Sequence, residues 1–541
     1  MTALPGMRTE ESRSSLSAMA AIFSAAIAEG IIRNNPEIAL AFKQWQQSDR
    51  SDSTLTSMLE RNQDLKTILL NSTPWVMDAR SDTERMTRLM LLFDKNEIKQ
   101  VYTQNIKLLE KLQHRKGGWR WIAESNEPSE WCTMNILEAY SDLKRLGFLP
   151  KDKSLNEMIT NAIKYIDDIN ARQYAKNPSW DYTHYVFIRD QYPEVKQSTA
   201  ASRVTAATIQ RLISQWREEN VAIKAIDAMI LDNHNYHSTA QQILNSIREY
   251  SRSEAAIGMW WPSLENISFW SMDKVGSTSI ILDAFNQIEP SCSDIDKIRQ
   301  WLILQKEATD WGSSVVTSQV ITSILYSGTK WHHPAQGSFV KIGNQIISPT
   351  KFESITGYFR EDVSNLHPSE ATLAIIKPAK TPSWGAIYSQ YTQENREINA
   401  ASCDAVSIDK RIYRQASTPD GVKWEYTNDL KVGDKAKIEL VIKTTRDMEY
   451  VAIIDNRAAC FEPVEQLPTP IITEGIYFYR ENRDTATNMF VNRLPKGTYL
   501  LSYEVYVNNS GTFSSGIASI QSQYAPELSA HSAGTTLSSI D

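Results

Sequence analysis

The sequence predicts a multidomain α+β protein in which an α/α toroid is followed by β-sandwich domains. From Arg8 to about Tyr326, apolar residues recur at spacings of three and four, the period of helices with one buried face. From Asp404 onwards the pattern changes to short apolar runs separated by turn residues, which is typical of strands. A chain of 541 residues is also too long for one ordinary hydrophobic core. We therefore expect three domains, namely a toroid at residues 1–330, a small β segment at 331–395 and a β-sandwich at 396–541.

The helical part is divided by turn residues, for example at 34–36 and 176–178, into about twelve segments. Helices in such number, joined by short turns, fit a toroid in which inner and outer helices alternate. For the alanine-rich stretch 16–28 we expect an amphipathic helix rather than a signal peptide, because Glu10 and Glu11 cancel the positive charge before it. The clearest periodic segments are residues 62–70, 83–93, 98–112, 155–169, 200–216, 221–230, 240–247 and 295–304.

One loop-then-helix unit recurs three times in the helical part. In each case a Gly–Trp combination leads through a polar loop to an apolar run, and in the first unit that run ends at Gly147, a good helix C-cap. Recurrence favours a repeated architecture in which each helix buries its face against its neighbours. Irregular spacing indicates a degenerate repeat. The three units begin at Gly117-Gly118-Trp119, Gly258-Met259-Trp260-Trp261 and Asp310-Trp311-Gly312.

Beyond the helical part, runs rich in β-branched and aromatic residues predict strands. In the small β segment they fall at 338–342, 345–347 and 373–376. The last ten residues, 532–541, are small and polar, and we expect them to be frayed. In the predicted sandwich the strands fall at 412–414, 422–427, 436–443, 449–455, 475–481, 485–491, 497–508 and 516–524.

The composition of the chain argues against several kinds of binding partner. Hydrophobic residues make up 41% of the chain and charged residues 22%, as in soluble globular proteins. A net charge of −7 without a basic block argues against nucleic acid, and no apolar run of about 18 residues predicts a membrane span. The sequence contains no Gly-rich phosphate-binding loop, and no cofactor is predicted. The four cysteines lack metal-ligand spacing, so we expect buried thiols rather than a metal site: Cys132, Cys292, Cys403 and Cys460.

Enzyme chemistry is the main alternative, because α/α toroids also carry glycosidases, lyases and terpene cyclases. A glycosidase needs two carboxylates that face one cleft. Each candidate acid also fits a solvated loop or a helix cap, and this is the interpretation that we favour. The acids beside aromatic turns are Glu124, Glu127, Asp181, Glu265 and Asp310.

Histidines and aromatic residues form further clusters. For His234 with His237, and for the pair His332-His333, no third ligand is evident, so we favour a surface role over zinc binding. The aromatic stretch 180–185, with Arg189 and Tyr192 nearby, is compatible with peptide binding, but packing between helices is the interpretation that we favour. No catalytic, cofactor-binding or metal-ligating residue is therefore predicted.

Five C-terminal blocks occur in an ordered succession at 446–451, 455–463, 482–490, 494–499 and 524–528. Together these blocks resemble the C-terminal β domain of bacterial alpha-2-macroglobulin-like proteins. Residues 382–388 resemble the end of the β segment that precedes that domain. The Gly-Gly-Trp unit at 117–119 and the stretch 73–76 resemble the helical thioester domain of the same family.

The resemblance implies a terpenoid-cyclase-like toroid, a CUB-like small β segment and a macroglobulin-type sandwich. It implies the C-terminal portion of an endopeptidase inhibitor that traps proteases, not an enzyme, exported to the periplasm or cell envelope. Its partners would be proteases and the other macroglobulin domains of the full-length chain. Many members carry a thioester in a Cys-x-Glu-Gln motif at the start of the helical domain. Residues 7–17 contain neither Cys nor Gln, and Cys132 lacks the motif, so acylation is not expected.

Two other functions remain as hypotheses from different classes. The acids beside aromatic turns motivate a polysaccharide-active enzyme with the toroid fold. A structural envelope module that binds a partner protein is the other alternative. Activity on a glycan would distinguish the first, and capture of a partner without any effect on proteolysis would distinguish the second.

Overall fold

The computed structural model describes residues 3–7, 13–35, 94–255, 257–264, 273–306, 311–328, 339–343, 345–347, 372–376, 393–419, 421–473, 475–523, 525 and 528–541. The described residues up to 376 belong to one compact unit, and those from 393 onwards belong to a second. The expected mixture of α-helical and β-sheet structure is confirmed. The helices predicted at 62–70 and 83–93 lie outside the described residues.

The described part of the first unit contains eleven α-helices. Polar side chains cap most of their N-termini, as Ser129 does for the backbone N–H of Cys132 in α3. Gly147 ends α3 in the left-handed conformation, as predicted. The helices are α1 (Ser15–Asn34), α2 (Lys95–Leu112), α3 (Glu130–Leu146), α4 (Lys153–Lys176), α5 (Thr183–Asp190), α6 (Thr199–Gln215), α7 (Val221–Asn233), α8 (His237–Glu249), α9 (Lys274–Ile288), α10 (Asp294–Leu304) and α11 (Ser314–Ser327).

The odd-numbered helices pack against one another in chain order, from α1 through α3, α5, α7 and α9 to α11. Helix α11 also contacts α1 and α3, so the series of contacts closes on itself. Each even-numbered helix packs against a neighbouring odd-numbered one. Burial differs accordingly: α7 is buried without interruption from Val221 to Leu231, whereas α8 buries only the stripe Ala240, Ile243, Leu244 and Ile247.

Helix α1 corrects one expectation from the sequence. It is not amphipathic, because every residue from Ala18 to Ala28 is buried. Length and mean hydropathy, 1.7 over its most apolar stretch, would allow this helix to cross a membrane, but 67% of that stretch is buried inside the protein. Among the described residues no other helix has that length and apolar character. In the unit described here α1 is a core helix.

The recurring unit of the sequence corresponds to a recurring hydrogen bond. In each copy a buried tryptophan donates its indole N–H to a carbonyl in the last turn of an even-numbered helix, and the chain then enters the next odd-numbered helix. The recurrence seen in the sequence thus corresponds to a structural feature in which each tryptophan precedes an odd-numbered helix. The three bonds are Trp119 Nε1 to Leu109 O at 3.0 Å, Trp261 Nε1 to Ile247 O at 2.7 Å and Trp311 Nε1 to Leu302 O at 2.7 Å.

Glycine is required just before two of these tryptophans. Gly117 has φ 99°, and a Cβ atom there would lie 2.4 Å from the backbone oxygen of Asn161. Gly258 has φ 92°, and its Cβ would lie 2.3 Å from the backbone oxygen of Lys297. Both the positive φ and the close backbone approach exclude a side chain. The glycines in the repeated unit therefore serve the turn that brings each indole to its carbonyl.

Short strands complete the first unit. Strands β1 (Arg252–Glu254) and β2 (Gly258–Trp260) form a hairpin between α8 and α9. Strands β3 (Phe339–Ile342), β4 (Gln345–Ile347) and β5 (Leu373–Ile376) form an antiparallel sheet in the order β4-β3-β5. These three strands fall where the sequence predicts the strands of the small β segment.

The second unit consists of two larger antiparallel sheets and one smaller sheet. The six-stranded sheet has the order β12-β13-β14-β10-β17-β18, the five-stranded sheet β11-β15-β9-β6-β7, and the third β16-β19-β8. The strands are β6 (Val406–Thr418), β7 (Gly421–Tyr426), β8 (Asp429–Lys431), β9 (Lys435–Thr444), β10 (Met448–Asn456), β11 (Phe461–Pro463), β12 (Thr469–Thr473), β13 (Ile476–Asn482), β14 (Ala486–Leu494), β15 (Gly497–Val507), β16 (Gly511–Ser514), β17 (Ala518–Ser522), β18 (Ser529–His531) and β19 (Thr536–Ile540).

Alternation of side chains places the hydrophobic core between the two larger sheets. In β9 the residues Ile438, Leu440 and Ile442 are buried, and they join one cluster with Val451 and Ile453 of β10 in the other sheet. The core of the second unit is therefore shared by both sheets.

The C-terminal residues correct a second expectation. Residues 532–541 are not frayed, because β19 pairs antiparallel with β16 and parallel with β8. Leu537 and Ser539 of β19 are buried, so an alternating face is present even though most residues there are small and polar. Ladder hydrogen bonds and this narrow buried face order a segment whose composition suggested a loose end.

The indole hydrogen bonds lead to a first prediction. Replacing Trp119 by Phe should lower the free energy of unfolding of the helical unit by about 1–2 kcal/mol, because the N–H donor to Leu109 is lost while most of the ring remains. Trp119→Ala should cost about 3–5 kcal/mol. Denaturant unfolding followed by circular dichroism at the helix band measures both changes.

The matched control is Trp180→Phe, since the Trp180 side chain is 61% exposed. We expect a change within about 0.5 kcal/mol there. Equal effects of Trp119→Phe and Trp180→Phe would contradict the assigned role of the buried indole.

Candidate functional site

The acids proposed from the sequence do not form a two-carboxylate cleft among the described residues. Glu124 is exposed, and Glu127 lies 2.6 Å from Lys116 Nζ, whose hydrogen bond lowers the pKa of Glu127. Asp181 pairs with Arg211 at 2.5 Å and accepts a hydrogen bond of 2.9 Å from the backbone N–H of Thr183 at the start of α5. The other two candidates, Glu265 and Asp310, lie outside the described residues.

The two described histidine candidates face different carboxylates. His234 Nε2 lies 3.0 Å from Asp190 Oδ1 of α5, and this hydrogen bond raises the pKa of His234. His237 Nδ1 lies 2.7 Å from Asp232 Oδ1 of α7. The two imidazoles therefore connect helix ends instead of sharing one set of ligands. His332 and His333 lie outside the described residues.

The aromatic stretch is packed, apart from the exposed Trp180. Asp167 of α4 accepts hydrogen bonds from Tyr185 Oη at 2.8 Å and from Arg189 Nε at 3.0 Å, and all three side chains are buried. Arg189 Nη1 also donates to the backbone oxygen of Tyr192 at 2.5 Å. Packing between helices, the interpretation favoured from the sequence, agrees with these contacts.

A polar cluster that the sequence analysis missed lies where α3, α9 and α11 meet. Arg145 Nη2 lies 3.1 Å from Asp142 Oδ1 and 2.9 Å from Asp283 Oδ2. Gln319 Nε2 donates to Glu138 Oε1 at 2.9 Å. We call these five residues the central polar cluster. Glu138, Asp142 and Arg145 are four and three residues apart, so α3 presents all three side chains on one face.

Electrostatics in the central polar cluster are unbalanced, because three carboxyl groups face one guanidinium. Burial raises the pKa of Glu138 to about 7, although the hydrogen bond from Gln319 acts in the opposite direction. Burial also raises the pKa of Asp142 well above its ordinary value, against the attraction of Arg145. Desolvation opposes the charge of Arg145, but Asp283 and Asp142 together raise its pKa. The cluster thus keeps its cation, while burial favours the protonated forms of Glu138 and Asp142.

Two small cavities border the central polar cluster. One, of about 20 Å³, is lined by Glu138, Asp142 and Gln319 together with apolar residues of α1. The other, of about 10 Å³, is lined by Glu138, Gln319 and His184, and burial lowers the pKa of His184 to about 4. Each cavity has room for about one water molecule, far less than a sugar or peptide needs. The cluster can bind water and exchange protons, but these cavities do not admit a substrate.

A second buried acid, Asp227 of α7, stands apart from the central polar cluster. Neither of its carboxyl oxygens has a hydrogen-bond partner among the described residues, and its side chain is fully buried. Burial raises the pKa of Asp227 to about 8, with a further contribution from Glu219, while Arg211 acts against it. Asp227 is therefore a neutral acid at pH 7 in the folded protein.

Comparison with known proteins identifies the C-terminal part. Residues 406–527 match the model of the bacterial alpha-2-macroglobulin MG10 domain. This match begins at the first residue of β6 and includes both larger sheets up to β17. The C-terminal part of the chain is therefore alpha-2-macroglobulin-like.

Similarity over longer stretches is low. The circularly permutated Ras protein 2 of Dictyostelium discoideum is 24% identical over 292 residues, which are 50% of this chain and 7% of that protein. Trypsin-activated alpha-2-macroglobulin from Escherichia coli is 12% identical, with a TM-score of 0.41, over 84% of this chain and 31% of that one. Elastase-activated alpha-2-macroglobulin from Escherichia coli is 14% identical, with a TM-score of 0.38, over 83% and 39%.

The chain thus spans less than two fifths of the length of these solved structures and a small fraction of the curated relative. The TM-scores are below 0.5, so the structural likeness over the whole chain carries no conclusion about fold or activity.

Asp227 gives a prediction for pH dependence. Its pKa is higher in the folded protein than the ordinary value near 4, so the folded state binds more protons between about pH 4 and pH 8. The stability that this proton provides is fully present below about pH 4 and is lost as the pH rises towards 8. Asp227→Asn should remove this dependence and raise the free energy of unfolding at pH 8 by about 1–3 kcal/mol.

Denaturant unfolding of both proteins between pH 5 and pH 8 measures the effect. Asp168→Asn is the control, because Asp168 is an exposed acid on α4 that pairs with Arg172. An unchanged pH slope in Asp227→Asn would show that the buried carboxyl group does not titrate as described.

Proposed function

We propose that this chain is the C-terminal portion of an alpha-2-macroglobulin-like endopeptidase inhibitor that traps proteases without thioester acylation. The observation that carries the proposal is the match of residues 406–527 to the bacterial MG10 domain. The two sheets with a shared core are consistent with a macroglobulin-type β-sandwich over 396–541. The chain would act as part of a longer protein in which other macroglobulin domains meet the protease.

For the helical unit we propose an α/α toroid of the thioester-domain type at 1–330. Support comes from the closed series of odd-numbered helices, with even-numbered helices packed against them. The three equivalent indole hydrogen bonds add support, because they mark a structural repeat. The small sheet of β3, β4 and β5 would be part of the CUB-like segment at 331–395.

The proposal of trapping without acylation rests on the cysteines and on the start of α1. None of the four cysteines is followed by the x-Glu-Gln sequence that a thioester requires. Where the resemblance places that motif, Ser14 and Ser17 form a capping box: Ser14 Oγ accepts from the Ser17 N–H at 3.0 Å, and Ser17 Oγ accepts from the Ser14 N–H at 3.1 Å. Cys132 is buried, which raises the pKa of its thiol and lowers its reactivity.

The enzyme alternative has less support. The described candidate acids lie in solvent or beside basic partners, and the described cavities are of water size. A structural envelope module that binds a partner protein remains compatible with the same sheets, and the trapping experiment separates it from an inhibitor. We infer export to the periplasm or envelope from the alpha-2-macroglobulin-like C-terminal part alone.

The trapping proposal is tested with the full-length protein that contains this chain. After incubation with trypsin, cleavage of a large substrate such as casein should fall several-fold, while cleavage of a small chromogenic peptide should persist. Unimpaired cleavage of casein would overturn trapping. Loss of both activities would indicate an inhibitor that blocks the protease active site, and glycan hydrolysis would support the enzyme alternative.

The absence of a thioester gives a separate prediction. All four cysteines are free, so thiol titration of the denatured chain should give four thiols before and after treatment with methylamine. A thioester would release one further thiol when the amine attacks its carbonyl group. Cys132→Ser, the matched control, should give three thiols in both conditions. A thiol count that rises after methylamine would contradict the proposal.

A further inference from the structure

A charged pair crosses the core of the second unit. Lys410 lies on β6 of the five-stranded sheet, and Asp455 lies on β10 of the six-stranded sheet. Lys410 Nζ is 2.6 Å from Asp455 Oδ1, and the two side chains are 2% and 0% exposed. A lysine and an aspartate so completely removed from water are rare, because each charge loses its hydration. This pair joins the two sheets through the inside of the protein.

Backbone oxygens fix the position of the lysine nitrogen beside the carboxyl group. Nζ donates to two of them, those of Asn456 and Ser515, each at 2.8 Å. Lys410 Nζ is also 2.6 Å from Asp455 Oδ1, an oxygen for which the described residues offer no other donor. Together these contacts hold the nitrogen against the carboxyl group. Because the two groups are already held together, a reaction between them does not lose the entropy of bringing two separate molecules into contact.

The surroundings of the carboxyl group favour its neutral form. Burial raises the pKa of Asp455, against the influence of Lys410, Tyr503 and Arg457. Tyr503 Oη donates to the other carboxyl oxygen, Oδ2, at 2.5 Å. Attack by the lysine nitrogen requires its electron pair to be free, and transfer of one proton from Nζ to the adjacent carboxylate would supply that state within the pair.

From this arrangement we propose that Lys410 and Asp455 form an intramolecular isopeptide bond. The Nζ electron pair attacks Cγ of Asp455, and Tyr503 donates a hydrogen bond to Oδ2 as charge develops there. The Nζ–Cγ bond forms and the Cγ–Oδ1 bond breaks, and Oδ1 leaves as one water molecule with two protons from the original ammonium, while Oδ2 remains as the amide oxygen. No oxidant, reductant or co-reactant takes part. The product is a neutral amide whose remaining N–H can still serve one of the two backbone oxygens.

The bond would change the energetics of the second unit in two ways. It removes two buried charges that are costly to desolvate. It also ties β6 to β10, which are far apart in the sequence, and so restricts the unfolded chain as a disulfide does. The proposal depends on the residues between the two sheets and not on the proposed inhibitor function.

The decisive experiment is mass spectrometry of the purified full chain. The intact mass should be lower than the sequence mass by one water molecule. A proteolytic digest should contain a branched peptide that joins the segment around Lys410 to the segment around Asp455. An intact mass equal to the sequence mass, both after purification and after prolonged incubation, together with unlinked peptides, would overturn the proposal.

Variants identify the atoms that react. Lys410→Met should restore the sequence mass, whereas Lys437→Met, which removes a lysine of the partly exposed ion pair with Glu439, should keep the deficit. In Asp455→Asn the leaving group becomes ammonia, so the deficit should correspond to one ammonia molecule instead of one water. Tyr503→Phe should slow formation at least tenfold. A deficit that persists in Lys410→Met would place the lost water elsewhere and refute the assignment.

Discussion

The hydrogen bond from a buried indole to the end of a helix is the constraint on which the helical unit depends. A carbonyl near the end of a helix can accept a second hydrogen bond, and a loop that supplies the donor fixes the path by which the chain leaves the helix. Trp119, Trp261 and Trp311 supply that donor and also fill the core with their rings. Between α4 and α5 the phenol of Tyr182 has the same role, since it donates to the Asn177 oxygen at 2.8 Å. The same kind of hydrogen bond thereby recurs on the path from an even-numbered helix to the next odd-numbered helix.

Most helices and strands could be predicted because their burial is one-sided. The stripe of α8 and the alternation of β9 are visible as periods in the sequence. Helix α1 has no such period, because its residues 18–28 are buried on every side. An alanine-rich stretch of this kind is also compatible with an amphipathic helix, which is why the sequence did not distinguish the two. Strand β19 was not predicted because its order comes from pairing with β16 and β8. The composition of a segment does not indicate which distant strands it pairs with.

The central polar cluster shows why site residues escape prediction from sequence. The spacing of Glu138, Asp142 and Arg145 is visible in the sequence. Charged residues four and three positions apart, however, ordinarily indicate a solvent-exposed helix face. Their role follows only from the position of α3 within the closed series, which brings Asp283 and Gln319 from α9 and α11 to the same place. Buried charge in the second unit is arranged differently. Lys410 and Asp455 lie between two sheets, and backbone oxygens hold the lysine nitrogen.

These differences bear on function. Acyl transfer needs an activated carbonyl group that an attacking nucleophile can reach, and a thioester needs a thiol and a side-chain amide in one short motif. Where the resemblance places this motif, the chain has Ser14 and Ser17, which form hydrogen bonds at the start of α1. The first thiol that follows, that of Cys132, is buried at the start of α3. Hydroxyl groups engaged in a capping box are not poised for chemistry, and their loss would destabilise the start of a core helix. The two serines therefore stabilise the start of α1, and under the proposed function the capture of a protease would come from enclosure instead of a covalent bond to this chain.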